Sequence, residues 1–350
     1  MRRLSREKKL LFAILAFGLI LRLSFILFGA EIYFSRENIF TDKDTGVWKT
    51  CITNLIETGA YTLDHEHEYG PFARMPGYGF FMGFFWLLCG QNWNLAFHVI
   101  GWTQLFLDII CIYLVYCIAR SVFQRGRPAY IAAFLYACYP FIIVWNPVVY
   151  SESLSVFFGM LCLYFLLTKK RSVFLLASGV CLGLAALNRP QFILMAPVAL
   201  LYLSMKSIRE LKLMIIRCLI FSLGFLVMYG SWPLRNYINY GKVIITQDLR
   251  AIRNWDVDVI AFMNYIYSVK AEWEPQFSNI IHNKKVEFPE LAYISPQDSL
   301  MLEKAVALSK TCGKGFSYWI GYWKEPIENE GCTKEIETLF TALRDNQIKT

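Results

Sequence analysis

Charge is scarce in this sequence. Only 18% of its 350 residues are Asp, Glu, Lys or Arg, while 56% are hydrophobic and 17% aromatic. A soluble domain carries about 25% charged residues, so this balance excludes long disorder and a collagen-like chain. Histidine is scarcer still: four residues leave little from which to build a His-based metal site or catalytic triad. Ten cysteines are present, but none falls in a CxxC or Cys/His spacing that would mark a metal site. They are also too few for this length to form a small disulfide scaffold. Residues 1–235 contain no repeat, low-complexity tract or linker, which removes one mark of transporters built from repeated halves.

What is abundant is apolar sequence in long runs. A membrane span needs about 17–25 mostly apolar residues. Candidate spans lie at residues 10–30, 94–119, 128–146, 152–168, 172–187, 190–205 and 213–234. The reading is an all-α polytopic membrane protein with about seven transmembrane helices. The first run carries Arg22 and lacks a small-residue cleavage site, so it reads as an anchor that is kept rather than a cleaved signal. Residues 76–90 (PGYGFFMGFFWLLCG) are too short to cross, and read as interfacial or re-entrant.

Charge placement supports that reading. The net charge is +8, but residues 1–235 hold 22 Lys/Arg against 12 Asp/Glu, and residues 236–350 hold 13 against 15. An even basic coat would suggest nucleic acid; a basic apolar half with a near-neutral tail suggests membrane topology. If 76–90 does not cross, the basic clusters in 1–9, 120–127, 169–171 and 206–212 all fall on one side, with Glu7 and Glu210 their only acids. That side is the cytoplasmic one by the positive-inside bias. The outer face then holds the loop 31–75, the turns near 147–151 and 188–190, and everything after about 235. The outer loop 31–75 has eight acids and four bases, the opposite bias. Two regions follow: a transmembrane domain over 1–235 and an outer polar segment over 236–350.

The groups able to do chemistry gather on the outer side. Thr41-Asp42-Lys43-Asp44 sets two carboxylates two apart near the membrane. Such a pair suits a general base or a divalent cation, and a solvated acidic loop has the same pattern. Arg74 precedes Met75-Pro76-Gly77-Tyr78; an arginine at the membrane surface can hold a phosphate by paired hydrogen bonds, or simply anchor the interface. Glu152, in Tyr150-Ser151-Glu152-Ser153, opens a span, where the helix dipole also favours an acid. Asn188-Arg189-Pro190 interrupts an apolar run, and Trp232-Pro233-Leu234-Arg235-Asn236-Tyr237 closes the last span. Arg74, Arg189 and Arg235 all stand on the side where positive charge is disfavoured. Arg22 and Asp108 fall inside spans and read as a pair that fixes helix packing.

The C-terminal segment contains helices of its own. Ser295-Pro296-Gln297-Asp298 reads as an N-cap with Pro at the first helical position, and Thr333 to Leu343 as an amphipathic stretch. Six cysteines, Cys111, Cys117, Cys138, Cys162, Cys181 and Cys218, lie in spans and read as small apolar packing residues. Cys312 and Cys332 could form a disulfide on an oxidising outer side, with Cys51 and Cys89 as competing partners.

These landmarks, in this order, resemble the GT-C fold membrane glycosyltransferases, in the group of protein O-mannosyltransferases and lipid A aminoarabinose transferases. The resemblance covers about 40–245: Asp44 with an aromatic at Trp48, then Leu55, Gly59 and Tyr61, then Arg74, Pro76, Gly77 and Tyr78, the Ser151-Glu152 pair, Asn188-Arg189-Pro190, and Pro233, Arg235, Asn236, Tyr237 and Gly241. Trp48 stands where that family more often has Tyr, and relatives usually continue into further spans beyond the outer tail. The resemblance implies an inverting transferase in the cell (inner) membrane, with its N-terminus cytoplasmic and its active face outside. It implies a polyprenyl-phosphate-linked sugar as donor and a hydroxyl of a glycan, lipid or protein as acceptor, with no nucleic acid involved. Asp44 is then the expected base with Asp42 as second choice, Glu152 an orienting group, and Arg74, Arg189 and Arg235 the phosphate ligands. No cofactor is required; a divalent metal, if used, falls to Asp42 and Asp44. Two rival readings are a lipid-linked-sugar flippase or transporter, and a shortened inactive homologue that binds the donor.

Overall fold

The structure, a computed structural model, describes residues 6–35, 38–169, 171–251, 255–269, 272–289, 292–320 and 330–349. All regular elements among them are helical. The chain forms two compact units, one of 1–63 with 74–247, the other of 64–73 with 248–350.

The first unit opens with α1 (Arg6–Ser24), which runs through a π-helical turn (Phe25–Gly29) into α2 (Ala30–Phe34). Then come α3 (Lys43–Thr58), α4 (Pro76–Leu88), α5 (Trp93–Phe123), α6 (Gly126–Ala137), α7 (Pro140–Trp145), α8 (Ser151–Thr168), α9 (Ser172–Asn188), α10 (Met195–Lys206), α11 (Leu211–Tyr229) and α12 (Ser231–Tyr240). Among the described residues, four stretches are long and apolar enough to cross a membrane: Glu7–Phe34, Trp93–Phe123, Ser151–Thr168 and Leu211–Tyr229. The chain is therefore a multi-pass membrane protein. The 17 residues of α9, the run Pro190–Lys206 and the 13 residues of α4 are shorter apolar helices. At 1.5 Å per residue α4 is roughly 20 Å long, short of the ~30 Å hydrocarbon core.

Prolines decide where the helices break. The continuous apolar run 128–146 is not one helix: α6 ends at Ala137 and α7 restarts at Pro140. The residue before a proline is driven out of the α region, and Tyr139 is extended at φ −69°, ψ 112°. Met75 before Pro76 (φ −67°, ψ 146°) and Arg189 before Pro190 (φ −143°, ψ 121°) obey the same rule. The run 213–234 is divided as well, but not by a proline: α11 ends at Tyr229 and α12 starts at Ser231, with Gly230 between them at φ −62°, ψ −21°.

Between helices, small residues set the spacing. A β-carbon on Gly183 of α9 would lie 2.8 Å from Met228 Cβ and 2.9 Å from the Phe225 carbonyl oxygen of α11. Such close backbone approach is how helices gain contact where lipid removes the hydrophobic drive between them. Polar pins do the rest. Fully buried Arg22 of α1 binds the Asp108 carboxylate of α5 and donates to the Ala137 carbonyl of α6 at 2.9 Å. The Tyr136 hydroxyl donates to the same Asp108 at 2.8 Å. This is the pairing that two opposite charges inside apolar runs demand.

The second unit is more than a polar tail. Its helices are α13 (Val257–Ser268), α14 (Trp273–Ile281), α15 (Pro296–Thr311), α16 (Lys314–Trp319) and α17 (Glu330–Lys349). They enclose a separate core that includes Phe262, Tyr265, Ile266, Phe277, Phe316 and Phe340. Ser295 caps α15 in a reciprocal capping box with Asp298. A disulfide joins Cys312 to Cys332, while Cys51 and Cys89 are free. Residues 64–73 join this unit: Asp248 N–H donates to the Phe72 carbonyl at 2.8 Å, and the Arg250 guanidinium stacks on Tyr69 at 3.9 Å.

Candidate active site

The site is assembled by three loops of the first unit. The first carries Asp42 and leads into α3, with Asp44 in its first turn. The second precedes α8. They are tied together: Val149 N–H donates to the Phe40 carbonyl at 2.7 Å, and the Thr45 hydroxyl donates to the Val149 carbonyl at 3.2 Å. Asp42 and Asp44 are thereby set beside Tyr150-Ser151-Glu152. Behind the second loop, Gln104 of α5 donates to the carbonyls of Asn146 and Val148, both at 2.8 Å, and accepts from the Tyr78 hydroxyl at 2.6 Å. An amide in the middle of an apolar helix is costly unless satisfied; here it holds the loop on which Glu152 depends.

The third loop is the Arg189-Pro190 break, where the extended backbone ends α9 and aims Arg189 away from the helix. Glu152, in the first turn of α8, forms an ion pair with it. A second pair lies alongside, Arg74 Nη2 to Asp44 Oδ1 at 3.4 Å. The Asp44 side chain is 59% exposed and that of Arg74 only 10%, so the carboxylate is open to an incoming group while the guanidinium is fixed. The Trp48 ring, one helical turn after Asp44, lies 5.2 Å below the Arg74 guanidinium. Partly exposed pairs such as these contribute at most about 1 kcal/mol to stability; their effect is to orient.

Asp44, Arg74, Glu152 and Arg189 line one small polar cavity of about 100 Å³, together with Trp48, Tyr150, Asn188, Gln191 and Gln247. Two buried atoms on its lining residues have no partner among the described residues, the donor Arg74 Nε and the acceptor Asn188 Oδ1. Through Tyr150 and Glu152 this cavity adjoins a second one of about 380 Å³, whose walls include Phe141, Ile142, Trp145 and Val156. A polar chamber thus opens beside an apolar groove.

The other two residues singled out in the sequence stand apart from the four. Asp42 is engaged by the Tyr150 hydroxyl; burial first, then the neighbouring Asp42, pushes that phenol above its usual range, so Tyr150 stays a neutral donor. Arg235 does not line the polar cavity. Its guanidinium lies between the rings of Trp232 (5.1 Å) and Tyr240 (4.8 Å) and donates to the Tyr61 carbonyl at 2.8 Å. Burial lowers its pKa. Arg235 and Arg74 both act on buried Cys51, yet burial outweighs them and pushes that thiol up to about 12. Among the described residues, no three His, Cys, Asp or Glu side chains converge on a point that could hold a metal ion.

Gln104, Gln191 and Gln247 were not singled out from the sequence. For Gln104 a signal existed, a polar side chain inside an apolar run. Gln247 lies beyond the last span, where nothing in the sequence ties it to the site.

The geometry is that of a polar, arginine-bearing chamber beside an apolar groove. Residues 73–232, just under half of the chain, match the family model described as dolichyl-phosphate-mannose-protein mannosyltransferase. The match bears out the resemblance to the GT-C fold glycosyltransferases, a class that works in membranes on a lipid-linked sugar donor. It includes Arg74, Glu152 and Arg189 and leaves out Asp42, Asp44 and Arg235. No curated protein matches the sequence.

Proposed function

We propose that this protein transfers a sugar from a polyprenyl-phosphate donor to an acceptor hydroxyl, with inversion, on the outer face of the cell membrane. The observation that carries the reading is the joining, through Tyr150 and Glu152, of the cavity lined by Asp44, Arg74 and Arg189 to the apolar groove. The groove suits the prenyl chain, and the arginines suit its phosphate. Asp44, the more open carboxylate, takes the proton of the acceptor hydroxyl while that oxygen attacks the anomeric carbon. The bond from that carbon to the phosphate oxygen breaks, and its electron pair leaves with the polyprenyl phosphate. Arg74 and Arg189 stabilise the charge that grows there. Glu152 holds Arg189 in place and orients sugar or acceptor. Arg235 acts from behind, fixing the Tyr61 segment, rather than touching the phosphate first. The outer placement is supported by the positive-inside bias and by the Cys312–Cys332 disulfide, which suits an oxidising compartment.

The test is transfer from a radiolabelled polyprenyl-phosphate sugar in proteoliposomes. Asp44→Asn should lower kcat by about 10²–10⁴-fold while donor retention stays unchanged. Full activity in that variant would remove Asp44 from the role, and failure of the wild type to release polyprenyl phosphate from any donor would end the reading.

A further inference from the structure

The opposite end of the same helices carries a second site that sugar transfer does not use. The C-terminus of α8, the start of α9, the C-terminus of α10 and the start of α11 meet there, separated from Glu152 and Arg189 by the roughly 25 Å length of α9. Two adjoining cavities lie at this end, of about 230 Å³ and 380 Å³, and they share Lys206 and Arg217. The smaller is lined by Lys169, Lys206 and Arg217 over buried Leu166, Leu175 and Leu203. The larger adds Arg209, with Glu210 as its one acid.

These cations are unbalanced. None of Lys169, Lys206, Arg209 and Arg217 forms an ion pair among the described residues. Their contacts are to neutral groups. Arg217 donates to the buried Ser207 hydroxyl at 2.6 Å, Lys206 to the Tyr202 hydroxyl at 3.1 Å, and Lys169 lies 5.0 Å over the Tyr164 ring. Arg217 and Lys169 are half-buried against an apolar floor, where an unneutralised charge is costly. An anion with an apolar tail satisfies both halves of such a cleft. A free phosphate would meet the cations but leave Met205 and Ile208, exposed apolar side chains of the larger cavity, uncovered.

We propose that this cleft binds the phosphate headgroup of an anionic glycerophospholipid, between Lys169, Lys206 and Arg217, with an acyl chain laid over the exposed Met205 and Ile208. Basic pockets between helices at one membrane surface have this chemistry. The lipid would tie α8 and α9 to α10 and α11, the helices whose other ends carry Glu152 and Arg189.

The experiment is native mass spectrometry of the full chain released from nanodiscs of equal parts phosphatidylcholine and phosphatidylglycerol. The wild type should retain phosphatidylglycerol in preference. Lys206→Gln and Arg217→Gln should each lower that retention about fivefold, as about 1 kcal/mol per cation near an anionic surface implies, and Arg217→Lys should restore most of it. Lys169→Gln, outside the α10–α11 contact, tests the third cation from a different helix and should lose retention by a similar factor. Equal retention of the two lipids, or unchanged retention in all three neutralised variants, would overturn the proposal. Displacement of the lipid by inorganic phosphate at comparable concentration would overturn the lipid assignment.

Discussion

A β-carbon on Gly77 would come within 2.8 Å of the Leu187 carbonyl carbon and oxygen, so the first turn of α4 rests directly on the last turn of α9. Arg74 lies three residues before Gly77, and Arg189 two residues after Leu187. The contact therefore sets the separation of the two cationic members of the site, which come from segments more than a hundred residues apart in the chain.

Gly77→Ala should push these turns apart by a few tenths of an ångström or more. A displacement of that kind costs catalysis out of proportion to stability, because reacting groups tolerate little misplacement. The expected result is a fall in kcat/KM of about tenfold or more, with membrane-inserted protein still recovered. Wild-type kinetics in this variant would mean that Arg74 and Arg189 need not be held at a fixed spacing.

Glu152→Gln tests the positioning of Arg189. The ion pair would be lost while the shape of the side chain is kept. The donor KM should rise about tenfold, the equivalent of one charge-assisted contact, with a smaller change in kcat. Arg189→Lys should show a comparable defect, since a lysine lacks the guanidinium fork that can bind carboxylate and phosphate together. Unchanged donor KM in both variants would place the phosphate elsewhere.

Chelation distinguishes a protein-only site from a metal-assisted one. Asp44 already faces Arg74, and Asp42 the Tyr150 hydroxyl. A divalent cation between the two carboxylates would have to compete with a guanidinium. Transfer measured with and without EDTA should be equal; a loss restored by Mg²⁺ or Mn²⁺ would assign a metal to Asp42 and Asp44.

In the second unit, Asp258 makes stability pH-dependent. It is fully buried, and burial raises its pKa from 3.8 to about 6 against the lowering effect of backbone N–H donors at Val259, Phe316 and Gly315. A raised carboxyl pKa means that the folded state binds the proton more tightly. The stabilisation is fully present below about pH 4 and is lost as pH rises through about 6. Chemical denaturation of the full chain, followed by fluorescence of the second-unit tryptophans, should show this loss between pH 4 and 6, on the order of 2–3 kcal/mol. Asp258→Asn should flatten that part of the profile; an unchanged slope would assign the titration to another group.

Much of the membrane half was legible because burial in lipid imposes a one-dimensional rule: apolar length, with charge gathered at the ends. That rule located the long helices, paired Arg22 with Asp108, and marked Asp44, Arg74, Glu152 and Arg189. It failed at residues 128–146, where hydropathy is blind to the break that Pro140 imposes on Tyr139. In 236–350 the Ser295 cap and the amphipathic stretch from Thr333 to Leu343 marked two helices that are present, but not the core they share. Short amphipathic helices bury their apolar faces on one another, as Phe262 does against Phe277, Phe316 and Phe340, and average hydropathy does not register that.

Local chemistry in the chain by itself determined that the protein lies in a membrane and which charged groups stand at the ends of its apolar runs. Only the tertiary structure decided which of those groups meet. Asp44 faces Arg74 because Thr45 and Phe40 bond to Val149, and Arg235 is drawn toward Tyr61 because Trp232 and Tyr240 clasp its guanidinium. Those outcomes depend on side chains from distant segments competing for the same partner, a competition settled by packing and not by any property of one segment alone.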